Sequence, residues 1–337
     1  MRTYELTGKG FETLALVERD RPRPGPGQVL VRMRATSLNY RDLLVASGQS
    51  GRGGAPKRPL VPLSDGAGEV IELGSGVTRL RLGDRVAGSF FRLWIDGPFD
   101  DKKSAALGGG STDGVLAEEV VLEADAVVKF PGHLSFEEAA TLPCAGVTAW
   151  VGLMELGKLA RGETVLSMGT GGVSIFALQL AKLAGARVIL TSSSDDKLAR
   201  GKALGADEVI NYRTTPDWAT AARALTGGRG VDHILEVGGA KTLPMALRAL
   251  RDGGHLSIVG LLSGARADPE EAARSGRGIR VDSVYVGSVR HFEALDETVA
   301  RARMRPVVDR VFPFEQARQA YEHLRSGAHF GKLVIAV

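Results

Sequence analysis

Residues 165–182, VLSMGTGGVSIFALQLAK, constrain this chain more than any other stretch. The apolar run Val165–Met168 meets Gly169, Thr170, Gly171 and Gly172, and apolar residues then recur at Val173, Ile175, Phe176, Leu178 and Leu180. That pattern predicts a strand, a tight glycine turn and a helix. A turn of this kind presents backbone N–H groups at a helix N-terminus, where the helix dipole favours an anion, and its glycines let the backbone approach a pyrophosphate closely. Ser174 stands where a third glycine is usual. That position mainly sets helix–strand packing, so a serine should crowd the contact only slightly. A methyltransferase is the sharpest rival for such a turn.

From about residue 160 onward, strand-like and helical runs alternate: TVLSM, VSIFALQLAKLAG, ARVILTS, DDKLARGKALG, DEVIN, PDWATAARALTG, VDHILEVG, AKTLPMALRALRDG, GHLSIVG and RVDSVYVG. This alternation predicts a doubly wound parallel sheet with helices on both faces. Residues 1–123 are β-rich instead, with short β-branched runs such as GQVLVRMRATSLN and GAGEVIELG between Gly and Pro. Two more helices and a final strand, KLVIAV, follow residue 290. A length of 337 residues suits two domains. They are expected to be 1–123 with 291–337, and 124–290.

The net charge of +4 comes from scattered basic residues, which argues against nucleic acid as a partner. The single cysteine, Cys144, excludes an internal disulfide framework and a four-cysteine zinc site, and reads as a small packed residue. No apolar run reaches the ~20 residues of a membrane span, and MRTYELTGKG lacks the apolar core of a secretory signal. The expectation is a cytoplasmic protein without membrane contact.

The tip of the second strand in the alternating region reads TSSSDDK. NAD sites usually carry an acid there for the ribose hydroxyls. Here Thr191, Ser192 and Ser193 form the tip, Ser194 reads as an N-cap, Asp195 and Asp196 fall in the first helical turn, and Lys197 follows. Hydroxyls and a lysine suit a 2′-phosphate, so NADPH is expected over NADH. An inward Asp195 would oppose that phosphate.

With these residues in view, the chain resembles the medium-chain dehydrogenase/reductase superfamily, and within it the zinc-free, quinone-oxidoreductase-like members. The resemblance spans nearly the whole chain and rests on SLNYRDLLVASG, PLVPLSDGAGEV, VTRLRLGDRVAG, AATLPCAGVTAW, the GTGGV turn, KALGADEVINYR and HFGKLVIAV. It implies an α/β protein with a GroES-like catalytic domain and a Rossmann domain, a ligand in the cleft between them, and final residues folded back onto the catalytic domain. It also implies a homodimer through the 281–286 edge strand. The cofactor residues it implies are Asn39, Thr148, Gly169–Val173, Ser192, Ser193, Lys197, Tyr212, Gly260, Leu261, Val286, Gly287, Phe330, Lys332 and Leu333. Arg213 lies near this set.

Zinc-dependent members carry a first cysteine where Asn39 stands and His-Glu where Ser64 and Asp65 stand. Three protein ligands are needed for a catalytic zinc, so no zinc is expected. Asn39, Tyr40 and Ser64 are the candidate catalytic residues, with Asp42 structural. Hydride transfer to a quinone or an α,β-unsaturated carbonyl fits such a site, because the acceptor delocalises its own charge. Two alternatives stand beside it: an alcohol dehydrogenase acting on alcohols, aldehydes or ketones, and a non-catalytic NADPH-binding protein. The loops 49–57 and 92–114, with Trp94 and Phe99, are expected to line an apolar pocket or to pack at the surface.

Overall fold

The computed structural model describes residues 1–49, 59–110, 112–260, 270 and 277–337. Two compact units divide the chain: Met1–Val147 with Gly287–Val337, and Thr148–Val286. The first unit continues past residue 123 because the strand Val127–Lys129 pairs antiparallel with Arg85–Gly88.

The second unit is built on a six-stranded, wholly parallel sheet. Its spatial order is Glu208–Asn211, Arg187–Ser192, Thr164–Met168, Val231–Glu236, Leu250–Ile258 and Arg280–Ser283. Chain order reverses between Thr164–Met168 and Val231–Glu236, which makes the carboxyl ends of these two strands the switch point where such sheets take ligands. All five residues of Thr164–Met168 and all six of Val231–Glu236 are buried, as central strands covered on both faces must be. Arg280–Ser283 is the sheet's edge, as the resemblance implies, although the strand stops three residues short of Val286.

His233 and His255 face each other in register on neighbouring strands, with ring centroids 5.6 Å apart. Each ring is held at Nε2 by a carboxylate: Glu163 at 2.8 Å and Asp282 at 3.0 Å. Burial pushes His255 down to about 4; Asp282 opposes that shift and His233 adds to it. Between pH 6.5 and about 4 the unfolded chain therefore binds a proton that the folded chain refuses. The His255 contribution to stability should fall across that window by about 3 kcal/mol as pH drops. Denaturant titrations at pH 7 and pH 4.5 of the wild type and His255→Asn test this, and the variant should gain on the wild type between the two pH values.

In the first unit a seven-stranded sheet gathers both ends of the chain. Its order runs Val308–Pro313, Lys332–Ala336, Gln28–Leu38, Asp65–Leu73, Arg85–Gly88 and Val127–Lys129, with Glu119–Glu123 also paired to Gln28–Leu38. The C-terminal strand lies antiparallel to Gln28–Leu38, with Leu333 opposite Leu38. Leu6, Leu30, Leu38, Leu60, Leu63, Leu116 and Tyr321 are among its fully buried side chains. A hairpin of Arg2–Leu6 and Leu14–Glu18 completes the unit's strands. Among the described residues, no helix is long and apolar enough to cross a membrane.

Candidate functional site

The glycine turn folds as its sequence requires. The strand ends at Met168, Gly169 takes φ +77, and the helix Gly172–Leu183 begins after Gly171. A Cβ placed on Gly169 or Gly171 would meet nothing within 4 Å. This open space in front of a helix N-terminus at the switch point is the cradle a pyrophosphate needs. Thr170 is buried beside it.

Ser174 does more than fill the third glycine's place. Its hydroxyl donates to Met168 O at 2.6 Å, and Ser167 Oγ donates to Ser174 O at 2.9 Å. The two serines thus lash the helix to the strand. Ser174→Gly should cost about 1–2 kcal/mol of stability, from a lost hydrogen bond and a helical glycine. It should leave dinucleotide affinity within about twofold, because the third position acts on packing. Thermal melts and titration calorimetry read the two quantities separately.

At the second strand's tip, Thr191 Oγ1 accepts from Gly169 N–H at 3.3 Å, and Ser192 is buried. Ser194 caps the helix Asp195–Ala203 by accepting from Lys197 N–H at 3.4 Å, as expected. Asp195 accepts from Asn211 Nδ2 at 2.7 Å, so a carboxylate is tied to the end of the neighbouring strand. Tyr212 is exposed, and its N–H donates to Ser192 O at 3.0 Å. Gly260 packs so tightly that a Cβ would lie 1.8 Å from Val237 O. Thr148 is buried, and Val286 is held at φ +58, a strained conformation for a β-branched residue. Leu261 lies outside the described residues.

In the first unit the remaining candidates converge on one buried cluster. Lys332 is 3% exposed, and its ammonium donates to Leu38 O and to Asn39 Oδ1, both at 2.6 Å. Its Nζ lies 4.0 Å from the Asp65 carboxylate. Asp65 accepts from Ser64 Oγ at 2.7 Å and from Cys144 N–H at 3.1 Å. Burial pushes the Asp65 carboxyl up, against the pull of Lys332. Asp42 accepts from Asn39 N–H at 2.7 Å at the start of the helix Tyr40–Ala46. Burial pushes Asp42 up to about 6, opposed chiefly by Arg41, whose guanidinium stands 3.4 Å away. Tyr40 is exposed. Leu333 packs in the first unit's core, and Phe330 is buried.

Backbone strain aims this cluster. Leu63 adopts φ +70, and Gly108 and Gly114 press against it. A Cβ on Gly114 would lie 2.0 Å from Leu63 O, and one on Gly108 would lie 2.6 Å from it. Left-handed backbone at a branched apolar residue costs about 1–3 kcal/mol and persists only where the surroundings enforce it. Here it delivers Ser64 and Asp65 to the buried lysine.

The chain belongs to the medium-chain dehydrogenase/reductase superfamily. The alcohol dehydrogenase GroES-like domain matches residues 25–132 and the zinc-binding dehydrogenase family matches residues 172–301. A zinc-type alcohol dehydrogenase-like protein of Schizosaccharomyces pombe is 44% identical, over 97% of this chain and 96% of its own length. A solved NAD-dependent alcohol dehydrogenase superposes with a TM-score of 0.88 at 33% identity, covering all of both chains. The quinone oxidoreductase of Coxiella burnetii does so with a TM-score of 0.81 at 27% identity, covering 100% of this chain and 99% of its own. Fold class and oxidoreductase character follow from these matches.

They also correct the expected cofactor set of NADPH without zinc. The family that matches residues 172–301 is a zinc-binding one, and the S. pombe relative is named zinc-type. The expectation rested on three positions that bear on one ligand set, in a chain with six histidines and 39 acidic residues. Nor does a carboxylate bonded at the strand tip, Asp195, suit a site selected for a 2′-phosphate alone. The cluster at Asn39, Ser64, Asp65 and Cys144 does not itself fit the ion, since a buried ammonium stands 4.0 Å from its carboxylate. Among the described residues no three His, Cys, Asp or Glu side chains converge to hold one.

Single-sequence reading missed Asp65 as the partner of Lys332. The signal was available: a lysine inside the apolar strand KLVIAV has to be satisfied by an acid if it is buried. Trp94 and Phe99 pack on each other at 4.9 Å, and Trp94 meets His291 at 6.0 Å, which accounts for them as an aromatic cluster. Residues 50–57 of the other loop lie outside the described residues.

Proposed function

We propose that the protein is a nicotinamide-dependent oxidoreductase that reduces an activated acceptor, a quinone or an α,β-unsaturated carbonyl. The observation that carries this reading is the open cradle at Gly169 and Gly171, at the N-terminus of a twelve-residue helix and at the sheet's switch point. When bound, the nicotinamide supplies hydride from C4.

The chain's own residues bind, orient and exclude water. Backbone N–H groups at Gly171, Gly172 and Val173 face the pyrophosphate, and Thr191 with Ser192 and Ser193 borders the adenosine ribose, with Lys197 and Tyr212 nearby. Thr148, Gly260, Val286 and Gly287 border the nicotinamide. In the first unit, Asn39 with the buried Lys332–Asp65 pair forms the polar cluster assigned to the reacting groups. An acceptor that spreads its own negative charge suits a site whose groups are one amide, one ammonium paired with a carboxylate, and hydroxyls. The neighbouring quinone oxidoreductase fold supports that class.

The second reading, oxidation of alcohols or reduction of simple aldehydes and ketones, is favoured by the names of the relatives. Initial rates with NADH and NADPH against a panel of quinones and enones, and with NAD and NADP against a panel of alcohols, separate the two. Faster turnover of alcohols than of any quinone or enone would overturn the first. The exposed sheet edge at Arg280–Ser283 supports a homodimer, which sedimentation equilibrium tests.

A further inference from the structure

Glu236 is fully buried, and it is the last residue of the strand Val231–Glu236, at the carboxyl end that borders the switch point. Both its side chain and its backbone are engaged. Oε1 accepts from Gly238 N–H at 2.9 Å and from the Thr242 hydroxyl. Gly239 N–H is shared between Oε1 at 3.0 Å and Oε2 at 2.8 Å. The carbonyl oxygen of Glu236 accepts from Val259 N–H at 2.9 Å and from Gly260 N–H at 3.0 Å, just past the neighbouring strand Leu250–Ile258. One residue therefore ties together the segments that leave two adjacent parallel strands. Burial pushes the Glu236 carboxyl up, against the pull of Thr242, Gly239 and Gly238.

A turn that only had to close would not need a charge. Ser194 caps its helix with a neutral hydroxyl, and a buried carboxylate is far more expensive unless its lone pairs are used. What the carboxylate adds is grip on two successive N–H groups and a hydroxyl at once. Gly239 takes φ +98, and a Cβ on Gly238 would lie 2.3 Å from Thr242 Oγ1, so the backbone wraps the carboxylate as closely as glycine allows. Gly238 and Gly239 are buried, while Val237, Val259 and Gly260 stay partly open. These three form a shelf at the strand ends. Its spacing is tight, since a Cβ on Gly260 would lie 1.8 Å from Val237 O.

Sheets of this kind bind one nucleotide half on each side of the switch point. With the adenosine ribose at Thr191–Ser193 and the pyrophosphate at the glycine turn, the nicotinamide half falls on the side of Val231–Glu236 and Leu250–Ile258. We propose that Glu236 is a positioning residue for the dinucleotide: it holds Val237, Val259 and Gly260 as the shelf on which the nicotinamide half rests. The shelf lies wholly within the second unit. This rests on the oxidoreductase reading above.

The test is calorimetry on the intact protein with NADH and NADPH, beside ADP and 2′-phospho-ADP. These two fragments carry adenosine and pyrophosphate but neither the second ribose nor the nicotinamide. Glu236→Gln keeps the shape of the side chain, yet in either orientation it sets an NH2 group against a backbone N–H. It should weaken the tighter-binding dinucleotide on the order of tenfold, the scale of one hydrogen bond to a charged group. The matching fragment should stay within about twofold of its wild-type affinity, less than the loss of one such bond. Glu236→Ala should weaken the dinucleotide further; should it not fold, Glu236→Gln carries the test. Hydrogen exchange in the ligand-free protein reads the shelf without any ligand. In Glu236→Gln the Gly238 and Gly239 amides should exchange faster on the order of tenfold, while Ile234 in the same strand keeps its wild-type rate. Equal losses for dinucleotide and fragment, wild-type dinucleotide affinity in Glu236→Gln, or unchanged exchange at both glycines would overturn the proposal and leave the oxidoreductase reading standing. A wild type that binds neither dinucleotide would overturn that reading and the proposal with it.

Discussion

Gly171→Asp should abolish dinucleotide binding and leave the fold untouched. Gly171 has φ −78 and ψ −178, ordinary extended values open to any residue. A Cβ there meets nothing within 4 Å, so the folded chain has no reason to resist a side chain. The space that receives it is the space assigned to the pyrophosphate. A carboxylate there meets like charge, which costs several kcal/mol, so the dissociation constant should rise on the order of 100-fold or more. Gly171→Ala removes space without adding charge and should weaken binding by a smaller factor. Melting temperatures of both variants should match the wild type. The comparison with Gly260 is instructive, because a Cβ there would lie 1.8 Å from Val237 O and would damage the fold itself. Calorimetric titration with NADH and NADPH, run beside thermal melts, checks the expectation; wild-type affinity in Gly171→Asp would remove the turn from the binding site.

Asp296→Asn should stabilise the protein at pH 8. Asp296 is buried on the helix Val289–Ala302, on the same face as Phe292, Leu295 and Val299. Its Oδ1 has no hydrogen-bond partner, and burial alone pushes the carboxyl up to about 8. Between pH 3.8 and about 8 the folded chain holds a proton that the unfolded chain releases. Stability therefore falls as pH rises through that window, by at most about 6 kcal/mol in total. Asparagine keeps the shape and cannot ionise, so the variant should escape that loss: close to wild type at pH 4, more stable by several kcal/mol at pH 8. Urea denaturation of both proteins at the two pH values measures the difference. Equal stabilities at pH 8 would mean that the carboxylate finds compensation on ionising. Between pH 6.5 and about 4 the contribution of Asp296 offsets that of His255, and above pH 6.5 Asp296 alone lowers stability as pH rises.

Periodicity made the second unit legible in advance. The runs TVLSM, ARVILTS, DEVIN, VDHILEVG and GHLSIVG each became a parallel strand, because strands covered on both faces favour short apolar, β-branched runs. The glycine turn was legible for a different reason: its chemistry is backbone chemistry, and few residues other than glycine permit it. The first unit was harder to read. Strands such as Val127–Lys129 and Glu119–Glu123 are three and five residues long, and their place depends on long-range antiparallel pairing that no local pattern announces. The compact unit that holds these strands runs to Val147, beyond the expected residue 123.

Of the site, Asn39, Ser64 and Lys332 were each singled out from sequence, but not as one cluster. Their meeting depends on the C-terminal strand lying against Gln28–Leu38 and on Leu63 in a left-handed conformation. Neither feature is written in local spacing. The metal question went astray because three substituted positions speak only for one set of ligands.

The central claim is that this chain moves a hydride between a nicotinamide and a carbon or oxygen acceptor. The most direct measurement uses NADH and NADPH deuterated at C4, with the quinone and enone panel, and analyses the products by mass spectrometry and the nicotinamide by absorbance. The account predicts dinucleotide oxidation matched one-to-one by acceptor reduction, with deuterium on carbon in the reduced enone, and loss of both in Gly171→Asp. Tight dinucleotide binding with no transfer to any quinone, enone, aldehyde or ketone, and none from any alcohol, would contradict it.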